Sequence, residues 1–165
     1  MSVNLPAADP TDIVGWLRID SRLTSSGQPT EAQLAALAGL GITHIVNLGL
    51  HTHEKALPDE AGCVGGLGMA YIHIPVDFDN PTEADFARFR QVMRELEHDR
   101  IHVHCIANLR VSAFLYRYRR EELGMAEDTA RAEMERIWRP GGVWAHFTGD
   151  EKAAQSPHLH AGRDY

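Results

Sequence analysis

Residues 101–114 read IHVHCIANLRVSAF, a strand pattern running into a helical one. Ile101, Val103 and Cys105 alternate with His102 and His104, the period-two pattern of a strand. From Arg110 onward, RVSAFLYRYRREEL is a helical run. A strand therefore ends at a cysteine, a short loop follows, and a helix begins. Such a loop gathers backbone N–H groups at the positive end of the helix dipole. A cysteine at the base of that ring is favoured as thiolate, the nucleophilic form. Arg110 adds a bidentate fork suited to a tetrahedral oxyanion. Cys105 and Arg110 are the candidate reacting pair, and Ile106, Ala107, Asn108 and Leu109 supply the anion-binding amides. His104 is placed to orient the loop. The plainer reading, a small core cysteine at a strand end, leaves the adjacent histidine and arginine unexplained.

Working outward, the chain alternates strand and helix patterns. GWLRIDSRL reads as an edge strand and SSGQPT as a turn. Thr30 is an N-cap, with Gln33 at the capping-box position of a helix whose inner stripe is Leu34, Leu37 and Leu40. ITHIVNLGL is a buried strand, HTHEKALPDEAG a loop leading into a short helix, and MAYIHIPV a third strand. DFDNPT is a loop. Thr82 caps EADFARFRQVMRELEH, which turns Phe86, Phe89, Val92, Met93 and Leu96 to one face. Two further helices follow the cysteine loop, the second, AEDTARAEMERIWRP, stopped by Pro140. This order predicts a single α/β domain: a central four- to five-stranded, mostly parallel sheet flanked by helices. In such sheets ligands bind beyond the carboxyl ends of the strands, where Cys105, Asp77 and the His51/His53 loop all fall. The expected boundaries are an N-terminal extension over 1–15, the domain over 16–150 and a loose C-terminal tail over 151–165.

Composition narrows the function. The 165 residues carry a formal net charge of -7, which argues against a nucleic-acid or anionic-membrane partner. No apolar run reaches the length of a membrane span, and MSVNLPAADPTDIVGW is not a signal peptide, so a cytoplasmic location is expected. Two cysteines make no disulfide framework, consistent with a reducing compartment. Cys63, in AGCVGG, reads as structural, with a resolving thiol for Cys105 as the alternative. Ten histidines invite a metal. His51 and His53, and His102 and His104, share faces at i, i+2 spacing, but no further ligands complete a set. No metal and no cofactor is expected. Arg117, Arg119 and Arg120 read as a solvated helix face, and Trp138 and Trp144 as packing the last helix onto the sheet. The oligomeric state is not legible in the sequence.

HVHCIANLRVSAF resembles the signature of the cysteine-dependent tyrosine and dual-specificity phosphatases, His-Cys-x5-Arg-(Ser/Thr). SSGQPTEAQLAALAGLGITHIVNL and AYIHIPVDFDNPTEADFARF resemble the opening and middle of the small bacterial members, so the likeness runs from about Leu17 to Leu123. The resemblance implies a dual-specificity phosphatase-like fold and hydrolysis of a phosphorylated small molecule or phosphoprotein. It implies Asp77, four residues before Pro81, as the acid that protonates the leaving oxygen, with Asp79 as the alternative. The signature is altered at its centre. Four residues, not five, separate Cys105 from Arg110. Val111 holds the usual arginine position, Ser112 holds the position of the hydroxyl that assists the thiolate, and Asn108 stands where glycine is frequent. The stretch Asn47-Leu48-Gly49 lacks the arginine often found there. A Cys-x4-Arg loop is also similar to that of rhodanese-like sulfurtransferases, which carry a persulfide. Three expectations follow: a phosphatase, a phosphate-binding relative without turnover, and a sulfurtransferase. The flanking segments favour the first.

Overall fold

The computed structural model describes residues 7–160. Its strands are β1 (Leu17–Arg18), β2 (Leu23–Ser26), β3 (His44–Asn47), β4 (Ala70–His73) and β5 (Ile101–His104). They form one sheet in the order β1-β2-β5-β3-β4. β2, β5, β3 and β4 run parallel, and β1 alone is antiparallel, against β2. This is the mostly parallel sheet expected from the alternation of patterns.

The first strand pattern proves to be a hairpin. Asp20 Oδ1 accepts the N–H groups of Arg22 and Leu23, both at 2.8 Å, and this Asx turn reverses the chain. Ser25 and Ser26, expected in a turn, instead continue β2 with Thr24 in the sheet interior, in register from Leu23↔Ile101 to Ser26↔His104. Polar residues are tolerated there because their hydroxyls have a buried partner. Thr24 Oγ1 and Ser26 Oγ each lie 2.7 Å from a ring nitrogen of His102.

Helix α1 (Glu31–Gly39) opens on the expected Thr30–Gln33 capping box and buries Leu34 and Leu37. Helix α2 (Glu60–Gly66) is capped by Asp59. Helix α3 (Glu83–Glu95) opens on a Thr82–Asp85 capping box and buries Phe86, Phe89, Val92 and Met93. Then come α4 (Leu109–Glu121), α5 (Glu127–Glu135), α6 (Gly142–Thr148) and a short 3-10 turn at Ala153–Gln155. α5 ends before Trp138 and Pro140, and α6 is an element the sequence pattern does not announce.

Strand alternation splits the core across the sheet. Val46, Val103 and Cys105 face α3, α4 and α6 in the larger cluster. Ile45 faces Leu34, Leu37 and Val64 in the smaller one, on the α1 and α2 side. The N-terminal extension joins the second cluster through the buried Ile13. At the other end, the Gly142 N–H donates to Ser156 O at 2.8 Å, and the His158 ring packs edge-on against Phe78 and Trp138. The expected loose tail is thus packed as far as these residues, while 161–165 lie outside the described residues. No described helix is long and apolar enough to cross a membrane.

Candidate active site

Cys105 follows the last residue of β5 and is almost wholly buried. The loop after it is tied down from three sides. The Gln28 N–H donates to Ile106 O at 3.0 Å, and the Cys105 N–H to Ser26 O at 3.4 Å. Asn108 Nδ2 donates to Gly15 O at 2.8 Å and to Ser25 Oγ at 3.1 Å. Asn108 itself is buried with φ 67, the left-handed conformation that asparagine tolerates better than other non-glycine residues. It is the N-cap of α4, so the helix begins at Leu109. Gly27 closes over this loop: a Cβ there would collide with the Ile106 carbonyl and lie 2.7 Å from Val14 Cγ1.

The displaced arginine now has a geometric meaning. Val111, in the register position of the signature arginine, is buried in the core. Arg110, one residue earlier in the first turn of α4, is rotated by about 100° around the helix axis. Its guanidinium lies over the Phe78 ring, 5.3 Å from the centroid. Phe78 stands between Asp77 and Asp79, so Arg110 joins the cysteine loop to the turn that carries both candidate acids. Arg110 is 0% exposed, and its Nε, Nη1 and Nη2 have no hydrogen-bond partner among the described residues.

Asp77 and Asp79 are exposed, and Asp77 Oδ1 accepts the Asp79 N–H at 2.9 Å. That bond orients the Asp77 carboxylate within the turn. The turn is held from behind: Trp144 Nε1–H donates to Phe78 O at 2.7 Å, and the Phe78 ring packs against both Trp138 and Trp144. These tryptophans, both part of the larger core cluster, therefore also support the acid-bearing turn. Ser112 turns its hydroxyl to Leu109 O at 2.9 Å, inside the helix.

Two histidines of β5 lie side by side but differ in their partners. His102 is fully buried between the Thr24 and Ser26 hydroxyls, and burial drives its pKa well below the ordinary value. Ser26 Oγ donates to Gly27 O at 2.6 Å, so it accepts from His102 Nε2–H. His104 Nδ1 reaches Cys105 O at 2.9 Å, and its Nε2 meets Glu60 Oε2 at 2.6 Å. Glu60 is the residue that sequence reasoning missed. It lies in the first turn of α2, and nothing in PDEAG marks it out. Gln28 Nε2–H donates to its other oxygen at 2.7 Å. Burial would raise the Glu60 pKa, but the hydrogen bonds from His104 and Gln28 outweigh it and hold the carboxyl below its ordinary range.

The other sequence candidates settle around this centre. His51 stacks on His73 with 3.8 Å between centroids, and its Nε2 lies 2.8 Å from Tyr71 Oη. His53 is buried, and its Nδ1 accepts the Lys55 N–H. Burial and the carboxylates of Glu31, Glu60 and Asp59 push the Cys63 thiol pKa up, which disfavours the thiolate a resolving cysteine needs. Of the arginine run only Arg120 is on a solvated face. Arg119 is buried, and Arg117 lies 4.0 Å over Phe86 while it pairs with Glu83 and Glu121.

The model of the family described as "DSP-PTPase phosphatase fused to NAD+ Kinase" matches residues 13–143. The chain belongs to this family. A DUF442 protein of Shewanella putrefaciens superposes with a TM-score of 0.75 at 30% identity, over 91% of this chain and 98% of that one. P. aeruginosa TpbA in complex with pTyr superposes with a TM-score of 0.62 at 21% identity, over 96% of this chain and 88% of that one, a likeness of fold. A curated relative, the Beta-lactamase hydrolase-like protein of Agrobacterium fabrum, is 37% identical over 92 residues. These are 54% of this chain and only 21% of that protein. The chain is therefore a phosphatase-like domain of the dual-specificity fold.

Proposed function

We propose that this chain hydrolyses a phosphate monoester, on a small molecule or a protein, through a cysteinyl-phosphate formed on Cys105. The observation that carries the reading is Arg110: a guanidinium fully buried beside the cysteine loop with none of its nitrogens paired. An uncompensated buried charge is costly, and a tetrahedral oxyanion on the loop amides would supply both the countercharge and the acceptors. In the first step the Cys105 thiolate attacks phosphorus. The S–P bond forms, the P–O bond to the leaving group breaks, and Asp77 gives its proton to the departing oxygen. In the second step water attacks phosphorus, S–P breaks, and Asp77 recovers the proton. Arg110 and the amides of Ile106 to Leu109 hold the equatorial oxygens throughout.

The test is hydrolysis of p-nitrophenyl phosphate. Cys105→Ser should abolish turnover while it keeps phosphate binding. Asp77→Asn should lower kcat by about 10²- to 10⁴-fold and remove the limb of the pH profile that reports the acid. If Asp79→Asn does this instead, the acid is Asp79. Phosphate binding with no hydrolysis by the wild-type protein would make it a binding module, and sulfur transfer from thiosulfate to cyanide would make it a sulfurtransferase.

A further inference from the structure

The Glu60–His104 pair is a buried group that the two-step reaction does not use. The side chains are 1% and 0% exposed. A carbonyl oxygen can only accept, so His104 Nδ1 carries the proton of its bond to Cys105 O. A carboxylate can also only accept, and Glu60 already receives Gln28 Nε2–H on its other oxygen. Its Oε2 lies 2.6 Å from His104 Nε2, so both ring nitrogens face acceptors, a carboxylate on one side and the carbonyl of the cysteine itself on the other. His102 supplies the contrast on the same strand: flanked by two hydroxyls, it has no countercharge for a second proton. The other titratable groups around the pair are His102 on β5, Tyr71 and His73 on β4, His51 after β3, and Cys63 on α2. Burial lowers the His73 pKa and raises that of Tyr71 to about 12, so both stay neutral near pH 7.

We propose that Glu60 is a positioning residue for the cysteine: it keeps His104 doubly protonated, and the His104 Nδ1–H bond to the Cys105 carbonyl then fixes the loop and sets a positive charge beside the thiolate. The kinetic consequence rests on the phosphatase reading; the protonation and reactivity consequences do not. Glu60 does not touch the reacting atoms. It acts through His104, as Gln28 in turn acts through Glu60.

Three measurements on the full chain test this. In the wild type near pH 7, the ring ¹⁵N signals of His104, assigned by comparison with His104→Gln, should show both nitrogens protonated, and Glu60→Gln should leave one. The rate of Cys105 alkylation by iodoacetamide should reach half its maximum at a higher pH in Glu60→Gln than in the wild type, with Glu60→Asp in between. With p-nitrophenyl phosphate, Glu60→Gln should lower kcat by up to about 100-fold through a misplaced loop, and KM much less. A singly protonated His104 in the wild type overturns the proposal, and so does an unchanged alkylation profile in folded Glu60→Gln. If Glu60→Gln does not fold, Gln28→Ala loosens the carboxylate without removing it: a smaller shift in the same direction supports the proposal, and none overturns it. Absence of hydrolysis by the wild type, with the alkylation shift intact, defeats the phosphatase reading and leaves the role of Glu60 standing.

Discussion

Arg110 is the residue at which this chain departs from the signature it otherwise follows, and its burial makes the departure testable. A buried guanidinium without a hydrogen-bond partner destabilises the free protein, whereas the same group bound to an anion stabilises the complex. Arg110→Met should therefore raise the unfolding temperature without ligand and erase the stabilisation by phosphate. In the wild type, phosphate at 100 times its Kd contributes about 2.7 kcal/mol, a rise of roughly 5–10 °C for a chain of this size. Differential scanning fluorimetry across a phosphate series reads both effects, and a wild-type unfolding temperature indifferent to phosphate would count against the oxyanion role. The residues of this site were unevenly legible. Cys105, His104 and Arg110 stand together in the chain, so local pattern finds them. Glu60 is brought to His104 from 44 residues away by the packing of α2 against β4, and no local pattern encodes such a contact.

Among the elements, the turn from Asp77 to Asn80 matters most, because it carries both candidate acids and owes its place to a distant helix. The Trp144 Nε1–H bond to Phe78 O ties the turn to α6. Trp144→Phe keeps the ring stack and loses the bond. It should cost about 1 kcal/mol and lower the unfolding temperature by roughly 2–4 °C. It should also depress kcat more than KM, because Asp77 is less well held. Equal unfolding temperatures and equal kcat would show that the bond does not brace the turn. The long helices were legible because capping boxes and a 3.6-residue apolar stripe are local signals, and Thr30 and Thr82 cap where expected. α6 was not: seven residues, with glycine at the N-cap and at the first position, carry too little periodicity, and the helix is held by Trp144 and Phe147 against Phe114. Likewise the end of β2, Ser25 and Ser26, reads as a turn until His102 is placed beside the Ser26 hydroxyl.

At the scale of the whole molecule, the sheet divides two cores, and polar clamps join the outer helices. Glu122 at the end of α4 accepts from Arg90 Nε at 2.7 Å and from Arg94 Nε at 2.8 Å, both on α3. Those bonds hold its carboxyl at about 2 against an ordinary 4.5. A carboxyl whose folded pKa is depressed contributes stability above its unfolded pKa, and loses it as pH falls through the folded value. The clamp is therefore intact at neutral pH and should fail between about pH 4.5 and 2. Glu60 adds a loss of the same sign below its ordinary range. Glu122→Gln should lower the unfolding temperature at pH 7 and flatten its decline over that window; the same decline as in the wild type would mean that other carboxyls carry the acid sensitivity. The sheet was legible at this scale because alternating strand and helix patterns dictate parallel pairing through crossovers. The antiparallel edge was not, since it depends on one Asx turn at Asp20.

By itself the sequence determined a cysteine at a strand end before a helix, the alternation that builds a mostly parallel sheet, and the capped amphipathic helices around it. Each of these follows from contacts within a few residues. Only the tertiary structure decided where the displaced arginine points, what braces the acid-bearing turn, and that a carboxylate from α2 meets the histidine beside the cysteine. Those outcomes depend on which faces of distant elements are pressed together, and burial then makes each unpaired charge or orphaned hydrogen bond count.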